Sequence, residues 1–226
     1  MKAVAFGRLS SYNGYMKILR KIPTIEVKRT FVIADHLTQR KGSGNNRKFL
    51  KELSEKEFDR KLQNAKKLIL KYKEEKLDVL ISPKYPKRVN SYNNSQWFVA
   101  EMSPKELGVW RRAGNMPLQW TNGSLYDTAR KIKTALEKNP KLIKGRPRHT
   151  IPNILKIKSH LEQKEKYLYP IVFKGDTGTG GRRRLKRKMK GDIDDGCMRS
   201  IAMAVSGKDP ILVYFGLSKK FLTSKA

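Results

Sequence analysis

The chain has few of the residues that build covalent or metal-stabilised folds. Its 226 residues include one cysteine and three histidines. The lone Cys197 excludes an intramolecular disulfide and a cysteine-based zinc site, and the histidines lack metal-ligand spacing. No run of about 18 apolar residues occurs, which predicts no transmembrane helix. The N-terminal residues also lack the continuous apolar segment of a signal peptide. We therefore expect an intracellular protein, in the nucleus or the cytoplasm, or in the virion if it is viral.

Negative charge is also scarce, and positive charge is abundant. The chain has 51 Lys and Arg against 20 Asp and Glu, a formal net charge of +31. A compact chain with that excess repels itself, and binding to phosphate chains relieves the repulsion by releasing counterions. The charge predicts a nucleic-acid partner, with an anionic membrane surface as the competing polyanion.

Hydrophobic residues make up 38% of the chain, enough to form a folded core. We expect an α+β fold in which a mixed sheet is combined with several amphipathic helices and flexible basic loops. A basic, proline-rich stretch, 139–152, is the best candidate for a boundary. It would separate an N-terminal α+β region, 1–138, from a C-terminal α+β region, 153–226, that carries a basic arm, 182–190.

Local patterns predict the individual elements. Ser54 and Glu57 form a capping box before a helix that extends to Tyr72, and Ser124 with Asp127 begins another. Helices are also predicted from Ser103 to Arg112, from Pro152 to Glu165, and from the Asp194–Asp195 pair to Gly207. Strands are predicted over 24–34, 77–82, 96–102, 167–173 and 210–217, the last of them in the middle of a sheet.

Three details of this assignment have functional meaning. Glu26 and Lys28 have the E-x-K spacing of some metal-dependent nucleases, but the upstream acid is missing, so we interpret them as a solvated strand face. The helices after Ser103 and Ser124 allow a helix-turn-helix. Packing of Trp97, Trp110 and Trp120 into one aromatic core is the favoured alternative for that region.

Several loops combine basic residues with glycine, asparagine or tyrosine. Loops of this kind place cations and backbone N–H groups against phosphates, while tyrosines can stack on unpaired bases, which favours RNA or single strands. The candidate contacts in these loops are Arg40, Lys41, Arg47, Lys48, Lys84, Tyr85, Lys87, Arg88, Arg146 and Arg148.

The most polarised stretch begins at Gly175. Its glycine loop lacks the G-x-x-x-x-G-K-[ST] pattern, so nucleotide hydrolysis is not expected. Seven of the nine residues from Arg182 to Lys190 are basic. They match a phosphate-binding arm and equally a nuclear-import signal. The candidate contacts in the arm are Arg182, Arg183, Arg184, Lys186, Arg187, Lys188 and Lys190.

An acidic cluster follows the arm at once. Asp192, Asp194 and Asp195, with Asp209 further on, could hold Mg²⁺ beside phosphates attracted by the arm. The other interpretation is that they cap a helix and pair with neighbouring arginines. From Arg184 to Val205 the chain resembles the metal-binding segment of the RusA-type Holliday-junction resolvases. It differs where an Asn normally follows the second Asp, because Asp195 stands there.

Two functions follow from these patterns. The favoured one is a nucleic-acid-binding protein, for RNA or single strands, with a packaging or ribonucleoprotein-type role and little sequence specificity. A viral nucleoprotein, capsid or movement protein would fit, self-assembly would be compatible, and neither catalysis nor a cofactor is required. The alternative is a Mg²⁺-dependent, structure-specific nuclease that uses Asp192, Asp194, Asp195 and Asp209 as catalytic residues, with Asp192 and Asp194 as metal ligands.

Overall fold

The protein has an α+β fold. The computed structural model describes residues 16–38, 54–83, 85–139, 151–174 and 189–219. Within those ranges, no helix combines the length and the apolar character that crossing a membrane requires.

Six strands form one mixed sheet within these ranges. They are β1 (Lys17–Ile22), β2 (Ser95–Met102), β3 (Leu107–Gly108), β4 (Ile171–Lys174), β5 (Gly191–Asp195) and β6 (Ile211–Ser218). Their order across the sheet is β1-β2-β6-β4-β5-β3. The β6–β4 and β5–β3 pairs are parallel and the others antiparallel. Strands from before residue 139 and from after residue 150 therefore share this sheet.

Helices cover both faces of the sheet. They are α1 (Thr24–Thr38), α2 (Glu55–Ile69), α3 (Glu74–Ile81), α4 (Pro86–Asn93), α5 (Leu125–Lys138), α6 (Ile151–Ile154), α7 (Lys158–Glu162) and α8 (Cys197–Val205). Side chains of α1, α2 and α3 form one hydrophobic core with the sheet, and those of α5, α6 and α8 form the second.

The strands contribute to both cores by alternation. On β2, Trp97 and Val99 belong to the first core, while Phe98 and Ala100 belong to the second, as the period of two in a strand requires. β6 is buried on both faces and lies between β2 and β4, so the prediction of a mid-sheet strand there is confirmed.

The two helix starts predicted from capping boxes are confirmed. The Glu57 N–H donates to Ser54 Oγ at 3.3 Å, and the Ser54 N–H donates to Glu57 Oε2 at 2.9 Å. Ser124 and Asp127 make the same reciprocal pair at the start of α5. These starts were predictable because the whole signal lies within four consecutive residues.

The strand predicted over 24–34 is wrong, because that segment belongs to α1. Its β-branched residues resemble a strand, but Val27 and Phe31 also recur at helical spacing and both are buried. Packing on several sides compensates for the weak helix propensity of such residues. Lys28 is fully buried rather than solvated, and its ammonium forms ion pairs with Glu74 and Asp78 at 2.7 Å each.

The prediction of a strand over 77–82 is also wrong. Leu77 and Ile81 are the buried residues of α3, one helical turn apart. Glu74 and Glu75 lie in the first turn of α3, where the helix dipole favours negative charge. A short apolar run does not separate a buried strand from a buried helix turn.

The helix predicted from Ser103 to Arg112 is absent from that described stretch. The chain instead forms β3 and then two short 3₁₀ turns, Ala113–Asn115 and Leu118–Trp120, so the helix-turn-helix lacks its first helix. The single aromatic core is wrong too. Trp97 lies in the first core, Trp120 packs against the second, and Trp110 is 37% exposed.

Two further elements differ from expectation. The helix predicted from Pro152 to Glu165 is divided into α6 and α7, with turn residues between them. The strand predicted over 167–173 begins only at Ile171, because Lys166–Leu168 forms a 3₁₀ turn.

His160 on α7 is a buried histidine, 4% exposed, against the ring of Phe58 at 4.6 Å. Within the described part of the chain neither ring nitrogen has a hydrogen-bond partner. Burial, with a smaller contribution from Arg199, lowers the pKa of His160 to about 3. The folded protein therefore holds the imidazole neutral at pH values where an unfolded chain would protonate it.

This burial predicts acid-sensitive stability. Because the folded pKa is depressed, the contribution of His160 to stability is complete above pH 6.5 and is lost as the pH falls toward 3. Between pH 7 and pH 5 the parent should lose about 2 kcal/mol more unfolding free energy than the His160→Leu variant. Urea unfolding of both proteins at the two pH values measures this difference. Equal losses in both proteins would contradict it.

Candidate nucleic-acid interface

The acidic cluster lies on a strand, so the prediction that it caps a helix is wrong. Asp192, Asp194 and Asp195 belong to β5, and α8 starts after Gly196, whose φ of 86° is readily adopted only by glycine. The register between β4 and β5 shifts at this point, since Val172 pairs with Ile193 and Ile171 pairs with Asp195. Asp194 is thus the extra residue of a β-bulge, a device that changes the direction of a side chain.

Asp194 forms a buried ion pair with Arg88 of α4. The distance from Arg88 Nε to Asp194 Oδ2 is 2.7 Å, and the two side chains are 5% and 1% exposed. Arg88 also donates from Nη2 to the Asp194 carbonyl oxygen at 3.2 Å. The guanidinium lies 4.6 Å from the ring centroid of Phe31 and 4.3 Å from that of Tyr85. The structure thus joins two separate sequence candidates into one internal contact.

Tyr92 completes this cluster. Its hydroxyl donates to Asp194 Oδ2 at 3.0 Å. Burial, together with the negative charge of Asp194, raises the pKa of Tyr92, so the phenol stays protonated. Burial alone would lower the pKa of Arg88, but the negative charges of Asp194 and Asp195 raise it overall, so Arg88 stays charged. Arg88 and Asp194 form an ion pair, and the neutral hydroxyl of Tyr92 donates to the carboxylate. Such a buried, fully paired cluster is suited to a structural role.

The remaining carboxylates of the predicted metal site have other contacts. Asp195 accepts from Arg199 at 3.1 Å, and Asp209 accepts from the hydroxyl of Ser103 at 3.2 Å. Asp192 is half-buried on β5, beside Phe173 of β4. Among the residues that the structure describes, no three His, Cys, Asp or Glu side chains are grouped as metal ligands. The geometry of this part of the chain therefore gives the nuclease interpretation no support.

The segment that contains the basic arm, 175–190, begins and ends at paired residues of the sheet. Lys174, the last residue of β4, is paired with Gly191, the first residue of β5. The chain between them, 175–190, therefore leaves the sheet and returns to it at neighbouring strands. Arg182, Arg183, Arg184, Lys186, Arg187 and Lys188 lie outside the described residues.

Further lysines lie at this same end of the sheet. The register of the strands aligns the end of β1 with the start of β2, the ends of β6 and β4, and the start of β5. Four of the lysines there are Lys21, Lys174, Lys190 and Lys219. Adjacent strands are about 4.8 Å apart, so this row extends over about 19 Å from β1 to β5. We call this row, at which segment 175–190 leaves and rejoins the sheet, the basic sheet end.

Acidic residues are also present near the basic sheet end. Lys190 forms an ion pair with Glu106 at 2.8 Å. Glu74 and Asp78, which lie beside the start of α1, are the partners of Lys28. Lys21 and Lys219 are exposed, and the ammonium of Lys219 donates to the Asn93 carbonyl oxygen at 2.7 Å.

The other predicted contacts have different environments. Tyr85 is 40% exposed and Lys87 is exposed, so both can be reached from solvent. Arg88 faces the interior, where its pairing with Asp194 leaves no surface for a phosphate. The candidates that lie outside the described residues are Arg40, Lys41, Arg47, Lys48, Lys84, Arg146 and Arg148.

Sequence reasoning missed the row of lysines as a group. Lys21 and Lys219 are separated by almost the whole chain, and only the pairing of β1, β2 and β6 brings them to one end. The available signal was weak. Lys174 ends the apolar strand β4 and Lys219 follows β6, but Lys21 lies within the basic strand β1 and Lys190 precedes β5. Which strands are neighbours cannot be read from that pattern.

Searches against protein-family models, curated proteins and solved structures found no match.

Proposed function

We propose that this protein binds nucleic acid through the basic sheet end, with RNA or single strands as the favoured ligand and little sequence specificity. The observation that carries the proposal is that Lys21, Lys174 and Lys219 lie at the end of the sheet where segment 175–190, which contains the arm, leaves and rejoins it. Cations placed along a line can follow a phosphate chain, and each contact releases counterions.

An exposed tyrosine at the start of α4 supports single strands over duplexes. Affinity for phosphates alone carries no sequence information. Tyr85 and Lys87 at the start of α4 place an exposed aromatic ring beside a cation, a combination used to hold unpaired bases. The helix-turn-helix that would read a major groove lacks its first helix in the described residues, where β3 and two 3₁₀ turns stand instead.

A packaging or ribonucleoprotein-type role follows from the distribution of charge. Basic residues occur on the outer faces of α2 and α5 as well as at the basic sheet end. A protein that coats nucleic acid uses such a distributed field, as a nucleoprotein, capsid or movement protein would. Such a role implies self-association along the strand, in the nucleus or cytoplasm or within a virion.

Salt-dependent binding tests the proposal. We expect the protein to bind a fluorescein-labelled 20-nucleotide RNA more tightly than duplex DNA or a four-way junction, with and without Mg²⁺. The logarithm of the affinity should fall linearly with the logarithm of the salt concentration. The slope should be as steep as about −2.8, the value for four single-strand phosphate contacts, or steeper.

Three results would contradict the proposal. The first is no retention of any oligonucleotide at 20 mM salt. The second is binding to phosphatidylserine vesicles without binding to RNA. The third is Mg²⁺-dependent cleavage of the junction that Asp192→Asn abolishes, which would favour the nuclease instead.

A further inference from the structure

A cavity opens at the basic sheet end, between the end of β1, the start of β2 and the residue that follows β6. Its volume is about 390 Å³, within the range of small-ligand pockets. It is lined by Lys21, Ile22, Pro23, Thr24, Ser95, Gln96, Trp97 and Lys219.

The inner wall of this cavity is apolar and fixed. Trp97 is 1% exposed, and its indole N–H donates to the Tyr92 carbonyl oxygen at 3.0 Å. The indole also contacts the ring of Phe173, with centroids 5.1 Å apart. Ile22 is 4% exposed beside it. The side chains of Trp97 and Ile22 fix the base of the cavity, and exposed Pro23 is the apolar lining residue that a flat, weakly polar group can contact.

The rim of the cavity is polar and positively charged. Lys21 lies on β1 and Lys219 follows β6, with β2 between those two strands. Lys219 is fixed by its bond to the Asn93 carbonyl oxygen and has further ammonium donors. Gln96 adds a half-buried amide. None of the eight lining residues is acidic.

We propose that this cavity holds one nucleotide of a bound single strand, with the base and sugar against exposed Pro23 and the flanking phosphates on Lys21 and Lys219. The inference rests on the proposed function and deepens it. Gln96 can offer its amide to a base edge, which suits weak rather than strict base preference. The cavity therefore adds a defined contact to an interface that otherwise relies on distributed charge.

A neighbouring cavity gives the strand a direction. It has a volume of about 470 Å³ and shares Pro23, Thr24 and Lys219 with the first, but it is also lined by Glu74, Glu75 and Asp78. Buried Lys28 pairs with Glu74 and Asp78, while Glu75 is exposed. Carboxylates repel a phosphate chain. The strand therefore continues from the nucleotide cavity along the sheet end toward Lys174 and Lys190.

Paired charge removal tests the cavity. Binding of a ten-nucleotide oligouridylate is measured for the parent and for the cavity variant, Lys21→Gln with Lys219→Gln. The control variant combines Lys17→Gln, at the start of β1, with Lys208→Gln, in the connection that precedes β6. In the cavity variant, the slope of log affinity against log salt concentration should be shallower by about 1.4, the value for two single-strand phosphate contacts. Its binding should be roughly tenfold weaker at 0.1 M salt. The control pair should leave the slope within about 0.3 of the parent.

A charge insertion checks the same site without removing a lysine. Gln96→Glu places a carboxylate in the cavity and should weaken binding at least as much as the loss of one lysine contact. Gln63→Glu adds the same charge on the exposed face of α2 and should have a clearly smaller effect. Thermal unfolding of every variant establishes that each remains folded.

The results distinguish a wrong cavity assignment from an absence of nucleic-acid binding. If the parent binds with a steep salt slope but the cavity and control variants are equally affected, the cavity assignment is overturned and general nucleic-acid binding stands. If the parent retains no oligonucleotide, both are overturned. Crosslinking of 4-thiouridine RNA should label residues 21–24 and 95–97, and labels confined to other segments would also overturn the cavity assignment.

Discussion

Replacement of Asp194 by asparagine should lower the free energy of unfolding by about 3 to 5 kcal/mol. Asparagine has almost the same shape but cannot neutralise Arg88, whose guanidinium would remain charged and 5% exposed. The loss is expected because the buried guanidinium has lost its hydration and would no longer have the carboxylate that compensates for it. Urea unfolding at pH 7 measures it.

A double-mutant cycle separates this pair from a general effect of mutation. Arg88→Met with Asp194→Leu should be less destabilising than the sum of the two single changes, because replacing both charges removes the unpaired one. Asp209→Asn, at an exposed carboxylate of the same original cluster, should change stability by no more than about 0.5 kcal/mol. If Asp194→Asn is as mild as Asp209→Asn, the structural role of Asp194 is wrong.

Replacement of Arg182, Arg183, Arg184 and Arg187 by alanine should have the largest effect on binding. Four lost single-strand contacts would reduce the salt slope by about 2.8 and the affinity for RNA by roughly a hundredfold or more at 0.15 M salt. The fold should be unaffected, since segment 175–190, which contains the arm, joins two strands that are paired with each other where it begins and ends. Fluorescence anisotropy with labelled RNA measures the binding, and circular dichroism measures the fold.

A matched variant distinguishes the arm from net charge. Lys56, Arg60, Lys61 and Lys67 lie exposed on α2, and their replacement by alanine removes the same charge from another surface. We expect this variant to change the slope of log affinity against log salt concentration by less than half as much as the quadruple arginine variant does. Equal effects from the two quadruple variants would show that binding follows total charge and that the arm has no special part.

The elements predicted correctly are those whose signals are local. The capping boxes of Ser54 and Ser124 fix where α2 and α5 start, and the apolar run of β6 indicates a strand buried on both faces. The α+β class followed from such elements. Where the sequence misled, as in α1, packing from several sides overrode the intrinsic preference of β-branched residues.

The candidate site was predictable only in part. The acidic cluster stood out in a chain with few carboxylates, but its two interpretations could not be separated without knowing the partner of Asp194. That partner, Arg88, is 106 residues away and had been assigned to phosphate contact. The basic sheet end was hidden for the same reason, because Lys21 and Lys219 become neighbours only through strand pairing. Long-range register is the information that local patterns lack.

The pairing of Lys174 with Gly191 has a consequence for how this protein can vary. Antiparallel neighbours can be joined by a turn of two residues, and each doubling of a connecting loop costs only about 0.6 kcal/mol in closure entropy. Related chains can therefore lengthen, shorten or recompose this connection almost independently of the layers beneath it. Selection on the ligand and selection on folding would then act on separate parts of the polypeptide.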